Sequence, residues 1–316
     1  MSYSKNISSA VALSGSPSHQ PNNLSSCELM EMIAYVRFSE VILTSLSGSS
    51  KNIPISSRCH IYQAAFITIQ DSPFLVLTSS LGMQVWTVDG SDMKFFFALS
   101  ALVDSEEDGH YMRGIAHMNR GFICVGSSTG NLLVLNAPSP DGENIELLHN
   151  LDVSKSPITA CAGSDSILVC GNEMGELAAF NVNDAFELMC RLPGSRFPCT
   201  SLCTRGDMIM AAYSTGHIRI YRASISELAV ELAAHSRAIT ALCLEPSLNV
   251  MASVSEDQYL NVWSVPFFGS REDCDMELIF SERIENRLLT GVAFLNDGRI
   301  GVAAYDEDDV IVFDKV

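Results

Sequence analysis

The apolar residues of this chain fall in short runs separated by turn-forming residues, without the spacing of a helical stripe. Residues 235–263 show the pattern most clearly. Three runs, 239–243, 250–254 and 260–263, are divided by Pro246-Ser247-Leu248-Asn249 and by Ser255-Glu256-Asp257-Gln258. Short β-type runs joined by tight turns predict an antiparallel meander. The unit recurs. A turn residue is followed five positions later by the last apolar residue of a third run: Leu81 to Trp86, Gly130 to Leu135, Gly175 to Phe180, Gly216 to Tyr221, Gln258 to Trp263 and Asp308 to Phe313. Successive turns lie 49, 45, 41, 42 and 50 residues apart. A period of about 40–50 residues is that of a ring of small sheets, the blades of a propeller.

The first runs support the same reading. Ile158-Thr159-Ala160-Cys161, Cys199-Thr200-Ser201-Leu202, Ile239-Thr240-Ala241-Leu242 and Leu289-Thr290-Gly291-Val292 align without gaps. Their third column is small throughout, as expected where innermost strands crowd a common axis. The predicted fold is all-β: a single domain over residues 1–316, a seven-bladed β-propeller of four-stranded antiparallel sheets. Blades are expected at 22–60, 61–102, 110–151, 157–192, 198–233, 235–282 and 288–316. Within the first, strands are expected at 24–30, 32–38, 41–46 and 52–60; the outer strand of the second is expected at 93–102. The last blade runs out of chain before a fourth strand. Residues 1–21 supply a spare strand, 5–13, and a loop, so the N-terminal strand is expected to close the ring and remove an exposed edge.

Composition narrows the function. The formal net charge is −18 over 316 residues. That disfavours nucleic acid, which needs a basic surface, and weakens contact with anionic lipid. It suits solubility, or a protein partner with a basic segment. Ten cysteines occur with no C-x-x-C pair, several of them inside apolar runs, which points to a reduced, cytoplasmic setting. Cys199 and Cys203 lack a matching Cys/His pair, so no zinc site is expected. No signal-peptide core or membrane-length segment is visible, and the N-x-S matches at Asn6 and Asn23 are read as incidental. Nothing in the pattern calls for a cofactor.

Residues 235–263 also carry His235 before the first strand, Ser253 in the second, Asp257 in the turn and Trp263 in the third. With these the stretch resembles a WD repeat. The resemblance implies a relay: indole N–H to hydroxyl, hydroxyl to imidazole, imidazole to carboxylate. Ser253, His235 and Asp257 also have the composition of a nucleophile, base and orienter. A serine within a strand, without a nucleophile elbow, argues for the structural role. The relay is complete in this repeat alone, since Ser80, Thr129, Met174, Thr215 and Glu307 stand where Asp257 does. Within the WD-repeat family, Arg113-Gly114-Ile115-Ala116, Gly121-Phe122-Ile123-Cys124-Val125-Gly126, Ala234-His235-Ser236-Arg237-Ala238-Ile239 and Val262-Trp263 are most similar to the family of WD repeat-containing protein 54. The resemblance implies a cytoplasmic, non-enzymatic interaction module of signalling or vesicle-associated assemblies. It further implies that partners bind across the rim formed by loops into first strands and turns between second and third strands. Here that rim would offer Arg196, Phe197, Arg237, Glu173 and Glu256.

Other features have plainer readings. Arg205-Gly206-Asp207 is expected to be a hairpin turn. The acidic clusters 104–109 and 306–309 lack alternating calcium-ligand spacing and are read as solvated loops, the second open to a basic partner segment. Phe95-Phe96-Phe97 is expected to fill core, the alternative being one ring left exposed as a contact site. The alternatives to a scaffold are an enzyme with its site in the central channel and a calcium-responsive module using the acidic turns.

Overall fold

A computed structural model describes residues 2–55, 59–103, 109–183, 185–265 and 276–316. Its strands form seven four-stranded antiparallel sheets. Blade one holds Ser25–Cys27, Met32–Arg37, Glu40–Ser45 and Ser50–Pro54. Blade two holds Ile61–Ile69, Ser72–Ser79, Gly82–Thr87 and Met93–Ala98. Blade three holds Met112–Met118, Phe122–Ser127, Asn131–Asn136 and Glu146–Asp152. Blade four holds Ile158–Gly163, Ile167–Asn172, Leu177–Asn181 and Leu188–Leu192. Blade five holds Cys199–Arg205, Met208–Tyr213, His217–Arg222 and Glu227–Ala233. Blade six holds Ile239–Glu245, Val250–Ser255, Tyr259–Ser264 and Glu277–Arg283. Blade seven takes Leu289–Phe294, Ile300–Ala304 and Asp309–Lys315 from the end of the chain and Tyr3–Ala12 from its beginning.

The N-terminal strand pairs antiparallel with Asp309–Lys315, from Tyr3 opposite Lys315 to Ala12 opposite Asp309. The fold is therefore a seven-bladed propeller closed by its own leading strand. Its hydrophobic core is divided among the seams between blades. Buried apolar residues of the described chain form seven clusters, each drawing on two neighbouring blades. The cluster of Val11, Leu24, Ile33, Ala303 and Val312 joins blade seven to blade one. A closed ring leaves no blade face unpaired, which is how small sheets that cannot bury a face alone become stable.

Several strand limits differ from expectation. The inner strand of blade one is only Ser25–Cys27; the chain turns at Glu31 (φ 49°), leaving Leu29 72% exposed. The outer strand of that blade spans Ser50–Pro54, and residues 56–58 of the expected 52–60 lie outside the described residues. Pro54 has no N–H to extend an edge ladder. In blade two the outer strand stops at Ala98, where a single 3-10 turn, Leu99–Ala101, begins. Phe95 and Phe97 pack on the seam with blade three, whereas Phe96 is 44% exposed. Strand alternation divides the three rings between two faces, so only two of them fill core.

The inner strands share a device. The ladder slips one residue at Thr159, Thr200, Thr240 and Thr290. Three of these hydroxyls reach across the bulge to a second-strand carbonyl: Thr200 to Ala212 (3.3 Å), Thr240 to Val254 (3.2 Å) and Thr290 to Ala303 (3.4 Å). Thr159 lies 3.2 Å from the corresponding oxygen of Gly171 but donates more closely to Cys199 of the next blade, at 2.6 Å. Each hydroxyl thus satisfies a carbonyl where the regular ladder is interrupted.

Candidate partner-binding rim and the blade-six relay

His235 sits in the loop entering blade six, 8% exposed, and its imidazole bridges the second strand and the following turn. Nε2 lies 2.9 Å from Ser253 Oγ, and Nδ1 lies 3.1 Å from both carboxylate oxygens of Asp257. Trp263 Nε1 donates to Ser253 Oγ at 3.0 Å. Nδ1–H thus donates to Asp257, while Ser253 Oγ meets Nε2 and receives the indole N–H. Asp257 also accepts from the Ser236 and Tyr259 backbone N–H groups, at 2.8 and 3.1 Å. Burial acts to raise its carboxyl pKa. The hydrogen bond and charge of His235 and the two backbone donors outweigh it, drawing the value down from 3.8 to about 2.

Two further residues hold this loop. Asn261 Nδ2 donates to the Ala234 carbonyl (2.9 Å), and Ser281 Oγ donates to Asn261 Oδ1 (2.7 Å). Sequence reasoning passed over both; Asn261 gave one signal, a polar residue at a buried third-strand position, and Ser281, exposed on the outer strand, gave none. Ser253 is 0% exposed. Its hydroxyl is enclosed by indole and imidazole, so the group that resembles a nucleophile is out of reach of a substrate.

The expected rim residues lie on one face in two clusters. The Arg196 backbone N–H donates to Met174 O (3.0 Å), bringing Arg196 and Phe197 beside Glu173. The Glu256 backbone N–H donates to Ala238 O (3.0 Å), bringing Glu256 beside Arg237. Between the clusters runs the blade-five turn, bonded to both sides through Ser214 N–H to Pro198 O and His235 N–H to Gly216 O. Phe197 is 52% and Met174 46% exposed. Turns on the same face expose Phe38, Leu81 and Tyr305 as well. The sequence pattern missed these because a single apolar residue in a turn has no periodicity to mark it.

Towards the axis on this face, the Tyr62 and Tyr111 rings stack with centroids 4.5 Å apart, and the Tyr111 hydroxyl donates to Glu173 (3.3 Å). Burial lowers the pKa of the neighbouring Arg113, opposed by Tyr111, Glu173 and Tyr62. The N-terminal loop crosses the same mouth. Asn22 receives the Ser201 hydroxyl (2.7 Å) and donates to the backbone oxygens of Thr200 and Thr240 (both 2.9 Å). Asn23 donates to Ser18 O and Val36 O and accepts from Val36 N–H. Below Asn22 lies a central channel of about 400 Å³, lined among others by Ala64, Ile115, Ala160, Leu242 and Val292.

The acidic turn at 306–309 is tied down within the chain: Arg287 pairs with Glu307 (3.4 Å) and with Asp309. The turn expected to await a basic partner segment already holds a cation of its own. The other acidic cluster lies at residues 104–108, outside the described residues, apart from Gly109. Gly206 forms the predicted hairpin turn at φ 56°, and Asp207 accepts from the Ser224 N–H and hydroxyl. Among the described residues no group of three or more His, Cys, Asp or Glu is placed to hold a metal, and no helix is long and apolar enough to cross a membrane.

Comparison with known proteins agrees with this architecture. Mouse WD repeat-containing protein 54 is 30% identical over 292 residues, covering 86% of this chain and 87% of its own, and the human protein of that name is 29% identical over the same length. Among solved structures, a chain of the mitotic checkpoint complex superimposes with TM-score 0.77 at 13% identity, over 97% of this chain and 93% of that one. Raptor of Chaetomium thermophilum superimposes with TM-score 0.76 at 14% identity, over 99% of this chain and 29% of that one. These structural likenesses speak to the fold alone. The WDR54 family model matches residues 39–316, and on that match the chain belongs to the WDR54 family of WD-repeat β-propellers.

Proposed function

We propose that this chain is a cytoplasmic, non-enzymatic scaffold that binds a protein partner across the rim carrying Glu173, Arg196, Phe197, Arg237 and Glu256, in signalling or vesicle-associated assemblies. WD-repeat propellers in general are protein-interaction scaffolds. The reading rests on one observation above the others: Phe197, 52% exposed, stands beside Arg196 on a loop fixed to the next turn by a backbone hydrogen bond. An aromatic and an arginine on a rigid, exposed platform have the composition of an interface hot spot. The domain boundaries expected from the sequence belong to the same proposal, a single interaction module over residues 1–316.

Proximity labelling in cells, with the wild type compared with a combined Arg196→Ala, Phe197→Ala and Arg237→Ala variant, tests it. The variant should keep its melting temperature and lose a defined subset of neighbours. An unchanged neighbour list would place the interface elsewhere.

A further inference from the structure

Blade four repeats the backbone arrangement of blade six without the histidine. A Cβ on Gly130 would strike the Ser154 carbonyl, as one on Gly216 would strike that of His235. In both blades the loop residue donates its N–H to that glycine's carbonyl, Ser154 to Gly130 and His235 to Gly216. The ladders carry the equivalence inward and outward. Cys170 pairs with Ala178, and Ala178 with Arg191, as Ser253 pairs with Asn261, and Asn261 with Ser281. Arg191 Nη1 donates to Val153 O at 2.8 Å. It thereby caps the loop carbonyl that Asn261 caps in blade six. Ser154 thus stands in the place of His235, too short to fill it, and a cleft of about 290 Å³ opens there, with Ser154, Cys170, Asn172, Glu176, Ala178 and Arg191 in its walls.

The walls differ with depth. Ile158, Cys170, Leu177 and Ala178 are buried, and they form an apolar floor. Burial pushes the Cys170 thiol up to about 12, so it is a neutral, small, weakly polar group. The exposed Glu176 and Arg191 stand at the mouth. Glu176 accepts from Asn172 Nδ2 at 2.8 Å, and its remaining lone pairs are open to another donor. The volume admits an aromatic ring. An apolar cavity of about 150 Å³ already takes benzene, and whole small-molecule ligands occupy about 300–1,000 Å³. One ring side chain fits the space. In blade six the same space holds a flat ring, the imidazole, gripped by Ser253 and Asp257; here the thiol of Cys170 replaces the Ser253 hydroxyl in the floor, so the floor accepts a ring with an apolar tip.

We propose that this cleft is a socket for a single phenylalanine side chain of the docked partner, with Glu176 and Arg191 taking that residue's backbone N–H and C=O. The inference rests on the rim reading above, since Glu176 lies on the same turn as Glu173 and Met174, against Phe197.

Toluene and 4-methylphenol serve as probes on the full chain. Toluene should give saturable NMR shifts at Ser154, Asn172, Glu176 and Arg191, with roughly millimolar affinity. The phenol should bind about tenfold more weakly, because its hydroxyl would meet the apolar floor. Ser154→His, which installs the residue blade six uses, and Ala178→Leu, which fills the cleft from below, should each abolish the toluene shifts while the fold, read by circular dichroism, persists. No saturable shift in the wild type, or unchanged shifts in both folded variants, overturns the socket. In proximity labelling the filled variants should lose neighbours that the combined Arg196→Ala, Phe197→Ala and Arg237→Ala variant also loses. Loss with the rim variant but not with the filled ones sinks the socket and leaves the rim standing. Toluene binding combined with no neighbour changed by either variant sinks the docking role of both.

Discussion

Asp257 draws together an imidazole and two backbone N–H groups, and its ionised form is the one they favour. Its pKa falls from 3.8 in the unfolded chain to about 2 in the folded one. A depressed carboxylate stabilises the fold fully above its unfolded pKa, and that contribution is lost as pH falls through the folded value. The difference corresponds to roughly 2 kcal/mol. Asp257→Asn should therefore lower stability by about that amount at pH 7 and by little at pH 2. Urea melts of both proteins between pH 7 and pH 2 check this; a gap constant over the range would show that the carboxylate charge is not what holds the loop. The four relay positions were legible because their spacing within one repeat resembles a known pattern. Asn261 and Ser281 were not, because hydrogen bonds to a loop carbonyl leave no spacing to read.

At the scale of a strand, the inner-strand threonines show how a repeat column acquires its chemistry. Their alignment was visible in the sequence, but the reason for it is a ladder slip at each site. Thr240→Val removes the hydroxyl and keeps the shape, so the Val254 carbonyl is left without that donor inside a buried strand. The cost should be about 1 kcal/mol, read as a lower urea midpoint at unchanged slope. A neutral result would mean that the bulge is set by the backbone alone. At two sites of the small third column the structure shows the cause. A Cβ on Gly291 would meet Leu24 and the Asn23 carbonyl carbon of the N-terminal segment at 2.6–2.7 Å, whereas the Ser201 hydroxyl binds Asn22. At these two sites what crowds the axis is the start of the chain, where the sequence pointed to the inner strands themselves.

For the whole molecule, closure joins distant parts of the sequence. The leading strand completes blade seven, and the loop after it carries Asn22 and Asn23 into the mouth of the ring, where they bond to inner strands of blades five, six and seven and to blade one. Deleting residues 1–14 leaves Asp309–Lys315 as an open edge, a template for pairing with another chain. Loss of a ladder of several backbone hydrogen bonds should cost on the order of 5 kcal/mol. The truncated protein should melt well below the full chain and aggregate on heating. An unchanged melting temperature, followed by circular dichroism, would show that the ring does not depend on its latch.

What the sequence alone determined is the repeat: run length, turn residues and a period near that of propeller blades specify seven small sheets, because alternation and turn chemistry act over a few residues. What only the tertiary structure decided depends on which distant residues meet. Arg287 pairs with Glu307 and Asp309 in the acidic turn of blade seven, Phe197 comes to rest beside Met174, and Asn22 reaches blade five, three blades from its own. The cleft of blade four also belongs to this second kind. A serine in place of a histidine is a single letter in the chain; it becomes an opening only because the surrounding backbone is held to the same geometry by the ring.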